Sequence, residues 1–249
     1  MASGTNIRTF FEGKWHEGNI PVMRAADHGS WLGSTVFDGA RSFDGMVPDL
    51  ALHCARVNRS AEAMLMTPTH AAQDIEGIVR DGLKSYRADQ ALYIRPMYWG
   101  IEDDGYGLGP HRDYTGFAVC LEEIPMSAPE NSVTLTTTSF RRPVLADNVC
   151  NAKAGCLYPN NYRMIAEARK KGFSNALVAD AIGNVAESAT ANVFIVKDGV
   201  AFTPIANGTF RVSHNASASA VASATARNPR PQSTWLIILV VCPAPGPPI

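Results

Sequence analysis

The chain has 249 residues, 46% hydrophobic and 18% charged, with a formal net charge of −1. That describes an ordinary soluble globular protein with room for two modest domains, and a near-neutral charge favours neither nucleic acid nor an anionic membrane as partner. Five cysteines (Cys54, Cys120, Cys150, Cys156, Cys242) form no CxxC pair, which points to a reducing compartment rather than to a disulfide framework or a metal site. The N-terminus lacks an apolar signal core, and the strongly apolar run Trp235–Cys242 is far shorter than a bilayer span, so a cytoplasmic protein is expected.

Taken in order, Thr9–Trp15 reads as a short hairpin around a Gly turn. Ser34–Phe43, an Asp44-Gly45 turn and Met46-Val47 read as a second hairpin. Pro48-Asp49 opens a helix on which Leu50, Val57, Ala61, Met64 and Leu65 recur at helical spacing, with Arg56 and Arg59 on different sides of that stripe. A second helix begins near Thr69 and carries Ile75, Ile78, Val79 and Leu83 inward. Ala91–Trp99 and Gly116–Leu121 are strands, the first too apolar for the surface, separated by a Gly-, Asp- and Pro-rich loop. Ile124–Asn131 is the best linker, with two prolines in a polar setting. Beyond it come a strand over Ser132–Thr138, a helix over Tyr162–Lys171 stopped by Gly172, strands at Asn175–Ala179 and Asn192–Val196, and a return over Val200–Thr203. Hairpins mixed with strands and helices predict an α/β (α+β) fold rather than a regular doubly wound sheet.

Four stretches carry chemistry. Asn151–Tyr158 sets Lys153 among small residues, where lost hydration would lower its amine pKa. A neutral amine attacks an aldehyde to form a Schiff base, the usual anchor of pyridoxal 5'-phosphate, and Tyr158 is placed to hydrogen-bond that cofactor's ring oxygen. Ala186–Phe194 puts Glu187 at the edge of an apolar strand, and pyridoxal chemistry wants a carboxylate beside the pyridine nitrogen. Leu52–Val57 offers Arg56 on a helix for a bidentate phosphate contact, and Tyr93–Pro96 offers Arg95 in a strand.

These pieces in this order, with Gly33–Arg41 and Val200–Pro204, resemble the fold-type IV pyridoxal-phosphate aminotransferases, and most closely the branched-chain amino-acid aminotransferases. The spacing from Lys153 to Glu187 also fits. The resemblance implies a two-domain fold with residues 1–124 as a small domain, 125–131 as a linker and 132–210 as a partial cofactor-binding domain. It implies that Lys153 bears the cofactor and shuttles the substrate's proton, that Arg56, Tyr158 and Glu187 bind phosphate, ring oxygen and pyridine nitrogen, and that Phe37, Tyr93 and Arg95 form the substrate pocket. Arg41 is a weaker pocket candidate. The implied reaction moves an amino group from a branched-chain L-amino acid to 2-oxoglutarate, in an assembly expected to be a homodimer or higher homo-oligomer. One departure is Leu32, where the branched-chain enzymes usually carry a tyrosine, which leaves a D-amino acid or an amine as alternative donors. An aminodeoxychorismate-lyase-like activity is a further alternative within the fold.

From Arg211 onward the composition changes: no Asp, Glu or Lys occurs, Ala and Ser crowd the first half and prolines the last. A poorly ordered or arbitrarily packed tail is expected over 211–249. The family would continue here with a Gly-Ile-Thr turn at a helix N-terminus that holds the cofactor phosphate. Arg211–Ser219 can be written in codons that, read two bases later, encode Gly-Ile-Thr-Gln-Arg-Gln-Arg-Val, so a frameshift is the favoured reading. Its consequence is the third reading, an inactive product that lacks part of its second domain.

Overall fold

Strand β5, Leu92–Gly100, organises the first half of the chain. Its side chains alternate: Leu92, Ile94, Pro96 and Tyr98 are buried, while Tyr93, Arg95 and Met97 are partly exposed on the other face. The computed structural model describes residues 4–126, 133–197, 200–204 and 236–240. β5 pairs antiparallel along its whole length with β6, Thr115–Glu123. β1 (Thr5–Phe11) and β2 (Lys14–Glu17) extend the sheet beyond β6. The β1–β2 turn uses Glu12 and Gly13, both with positive φ, the two-residue turn that matches strand twist.

On its other side β5 pairs with β3 (Thr35–Phe37) and then with β4 (Ala40–Ser42). The strand expected over Ser34–Phe43 is therefore broken at Asp38-Gly39. Pro96 explains the break. Its carbonyl accepts the Asp38 N–H (2.9 Å), but proline has no N–H to return on that side of the ladder. The Asp44-Gly45 turn forms, both residues at positive φ, but its returning strand shrinks to one bridge between Phe43 and Met46.

Between α1 (His28–Trp31) and β5, the chain builds α2 (Leu50–Ala63) and α3 (Ala72–Leu83). α2 packs on β3 and β5, and α3 on β1, β6 and α2. Cys54, Val57 and Ala61 of α2 and Ile75 and Val79 of α3 are fully buried with Leu92, Ile94, Val119 and Leu121 of the sheet. Burial of each such Val, Leu or Ile contributes about 1.5–3 kcal/mol. Arg56 and Arg59 separate as expected, buried and exposed, but Leu65 lies past the helix end and is 69% exposed, so it belongs to no core stripe.

The chain forms two compact units, Met1–Asn131 with Ala152–Cys156, and Ser132–Asn151 with Leu157–Ile249. Most of the expected linker lies outside the described residues. In the second unit β7 (Leu135–Arg141) lies parallel to β8 (Asn175–Ala179), and β9 (Val185–Ser188) pairs antiparallel to β8. α4, Tyr158–Lys170, starts earlier than its apolar period suggests because Pro159 suits the first turn. Met164 and Ala168 of α4 close a core with Ala176, Val178 and Ala189. Glu167 ties α4 to β7; hydrogen bonds from Lys171, Thr138 and Ser139 hold its carboxyl down to about 2. β10 (Asn192–Lys197) pairs with β11 (Val200–Phe202) and with β12 (Leu236–Val240). The rest of the tail beyond Phe210 lies outside the described residues. No helix among the described residues is long and apolar enough to cross a membrane.

Gly116 sits opposite Trp99 in the β5–β6 ladder, and a Cβ there would lie 2.3 Å from the indole ring. Trp99 is 1% exposed and its Nε1–H donates to Asp27 (3.0 Å), so the ring has nowhere to go. Gly116→Ala is expected to cost about 1–3 kcal/mol, read as a lowered thermal midpoint; an unchanged midpoint contradicts the packing described.

Candidate active site

Residues 152–156 pack into the first unit, and small side chains let them do so. Ala152 and Ala154 are wholly buried, and a Cβ at Gly155 would lie 2.3 Å from Thr35 Oγ1. The Lys153 backbone is held from two sides: its N–H donates to Ser60 Oγ on α2 (3.0 Å), and its carbonyl accepts the Phe37 N–H (3.1 Å). Ala154 adds a bridge to Val36. The Lys153 Nζ lies 5.1 Å from the centroid of the Phe37 ring, within cation–π range.

One turn before Ser60 on the same helix stands Arg56, 4% exposed. Its Nε and Nη2 grip both carboxylate oxygens of Asp38, side-on and bidentate. Asp38 lies between the buried Val36 and Ala40 in strand alternation, so its carboxylate takes the face that bears α2. His53 Nδ1 lies 2.7 Å from Asp38 Oδ1, which makes Nδ1 the protonated nitrogen, since a carboxylate only accepts. Burial alone would raise the Asp38 carboxyl. The Arg56 charge and the hydrogen bonds from Arg56 and His53 outweigh it and hold the group well below the usual carboxylate range. Burial, helped by the Glu76 and Asp38 charges, pushes the neighbouring Cys54 thiol up to about 12, so it is no nucleophile.

Phe37 faces Met97 across the ladder, and Arg41 faces Tyr93. Opposite residues share a face, so these side chains and Arg95 line the side of the sheet that does not bear the helices. The Tyr93 hydroxyl lies over Gly39, where a Cβ would come within 2.3 Å of it. The Arg95 guanidinium is 5.5 Å from the Tyr93 ring centroid and donates to the buried carboxylate of Glu122. Arg41 donates to the Ile124 carbonyl.

Tyr158 and Glu187 belong to the second unit. Tyr158 opens α4 and is 36% exposed. Glu187 lies on β9, 9% exposed, with Oε1 2.5 Å from the Nε of Arg142. Arg142 in turn donates to Asn161 Oδ1 (2.9 Å). Of the residues expected from sequence, Lys153, Phe37, Arg56, Tyr93 and Arg95 thus share the first unit. Asp38, His53, Ser60, Glu122 and Arg142 were not expected. His53 and Ser60 have a signal, three places before and four places after Arg56 on one helix; the others depend on register.

The model of the family described as amino-transferase class IV matches residues 35–226, past the point where the composition changes. The chain belongs to that family. An aminotransferase from Brucella abortus, solved bound to the cofactor PLP, is 51% identical and superposes with a TM-score of 0.83 over 89% of this chain and 79% of its own. The branched-chain-amino-acid aminotransferase of Pseudomonas aeruginosa is 30% identical over 206 residues, 76% of this chain and 66% of that protein. The solved Escherichia coli branched-chain enzyme, 23% identical with a TM-score of 0.74 over 88% of this chain and 75% of its own, shares the fold. The α/β fold-type IV architecture expected from sequence is therefore present. The chain spans less than two thirds of the length of the curated relatives it matches.

The residues of this class IV aminotransferase chain suit pyridoxal phosphate: one helix, α2, holds both a buried guanidinium at Arg56 and, through Ser60, the backbone of a primary amine. The Asp38–Arg56 pair also yields a stability test. The Asp38 pKa is lowered on folding, so its contribution is complete above the unfolded value of about 4 and fades as pH falls below it. Asp38→Asn is expected to be less stable than the parent by about 3 kcal/mol at neutral pH, with the gap narrowing below about pH 4 in denaturant melts. A gap constant with pH contradicts the ionised pair.

Proposed function

We propose that this chain is a pyridoxal-phosphate-dependent aminotransferase acting on branched-chain L-amino acids with 2-oxoglutarate as acceptor. The observation that carries the reading is the Lys153 amine beside Phe37, on a backbone held by the same helix that bears the buried Arg56. The 51% identity to a PLP-bound aminotransferase and the branched-chain names of the curated relatives support it.

On this reading the cofactor supplies an electron-accepting ring and an aldehyde carbon that exchanges with amines. Lys153 Nζ binds that carbon. With the cofactor bound, Nζ would be the base that carries a proton between the donor's α-carbon and C4′. Arg56 binds the phosphate, its guanidinium plane set by Asp38 and His53. Glu187, braced by Arg142, accepts the pyridine N–H, and Tyr158 steadies the ring oxygen. Phe37 lines the apolar side-chain pocket, while Tyr93 and Arg95 seat carboxylates. The chain works in the cytoplasm as a homodimer or larger homo-oligomer, and beyond Phe210 it is read out of frame.

After incubation with pyridoxal phosphate and reduction with borohydride, peptide mapping should find the pyridoxyl group on Lys153. Lys153→Ala should carry none there and should transfer no amino group from leucine to 2-oxoglutarate. Labelling spread evenly over surface lysines, or an active Lys153→Ala, overturns the reading. Sequencing the gene tests the tail: an intact frame whose codons cannot encode Gly-Ile-Thr contradicts the frameshift.

A further inference from the structure

Two consecutive asparagines tie the start of α4 to the end of β7. Asn160 Nδ2 donates to the Arg141 carbonyl (3.2 Å), and Asn161 Oδ1 accepts from Arg142 Nη1 (2.9 Å). The first bond ends on backbone. The second ends on a side chain that goes on to an acid, since Arg142 Nε lies 2.5 Å from Glu187 Oε1. Asn161, Arg142 and Glu187 are each at most 9% exposed. The Arg142 N–H donates to the Ala179 carbonyl at the end of β8 (2.9 Å), and Glu187 stands opposite Val178 of that strand, so the β8 ladder holds both main chains. It does not by itself hold the side chains. Asn161 follows Tyr158 by three places in α4, and residues so spaced are neighbours on a helix surface. The helix that carries Tyr158 therefore also grips the guanidinium that meets Glu187.

We propose that Asn161 is a positioning residue for the cofactor ring: by fixing the Arg142 guanidinium it sets the plane of the Glu187 carboxylate, and with it the aim of that carboxylate at the pyridine nitrogen. This deepens the reading above and rests on its assignment of Glu187 to that nitrogen. A guanidinium is planar and its donors leave in fixed directions, so an acceptor placed on Nη1 also orients Nε. A buried guanidinium that loses its acceptor turns to find another, and the carboxylate paired with it turns too. Asn160, one place earlier, makes the same kind of tie between α4 and β7 but ends on backbone, so it separates holding the helix from aiming the acid.

The test loads the full chain with pyridoxal phosphate isotopically labelled at its ring nitrogen and follows that nitrogen by NMR as pH is raised. The parent should hold it as N–H. Asn161→Leu should release the proton about one pH unit lower, the loss of one hydrogen bond to a charged group. Asn161→Ala, which adds no bulk, should behave alike, and Asn160→Leu should titrate as the parent does. An unmoved titration in both Asn161 variants, or an equal displacement in Asn160→Leu, overturns the proposal. Thermal melts of the unloaded chain give a readout that needs no cofactor. Asn161→Leu and Glu187→Gln together should lower the midpoint by clearly less than the sum of their single effects, because both act on Arg142. A parent that binds no cofactor, or whose ring nitrogen is bare, overturns the reading of Glu187 and this proposal with it. Additive midpoints beside a protonated parent nitrogen overturn the proposal alone.

Discussion

The buried pair of Asp38 and Arg56 is the interaction around which the first unit is arranged. Two charges removed from water are tolerable only when each satisfies the other, and here a side-on bidentate grip with His53 as a third partner does so. β3 and β4 keep one register against β5, and the ladder lapses at Asp38-Gly39 because Pro96 has no N–H to give there. Strand alternation sets the Asp38 side chain on the face of the buried Val36 and Ala40, toward α2. The consequence is a guanidinium of fixed orientation on α2.

From that helix the site grows by one turn. Ser60 holds the backbone of Lys153, and Phe37, the last residue of β3, holds it from the other side. The segment can enter this narrow place because Ala152, Ala154 and Gly155 have almost no side chain to accommodate. Long side chains flanking the lysine would keep it at the surface. The backbone that carries the amine and the guanidinium of Arg56 are therefore held by one scaffold, α2, which limits where the two groups can sit relative to each other.

Much of this was legible in the chain itself. The small residues around Lys153, the apolar spacing of α2 that buries Arg56 and exposes Arg59, and the alternation in Leu92–Trp99 are local patterns, and local patterns survive folding. What was not legible depends on register. That Glu122 reaches Arg95 follows only from Tyr93 standing opposite Glu122, and that Arg142 braces Glu187 follows only from β7, β8 and β9 lying together. The strand expected through Ser34–Phe43 has genuine β propensity, while the proline that interrupts its ladder lies far away in sequence. Leu65 keeps the apolar helical period but lies past the residue where the helix stops.

The most direct measurement is a crystal structure of this chain grown with pyridoxal phosphate. Density continuous from Lys153 Nζ to the C4′ carbon, with the phosphate against Arg56 and the Asp38 grip unbroken, is the predicted result. A cofactor bonded to another lysine, or a phosphate seated away from Arg56, would contradict the account.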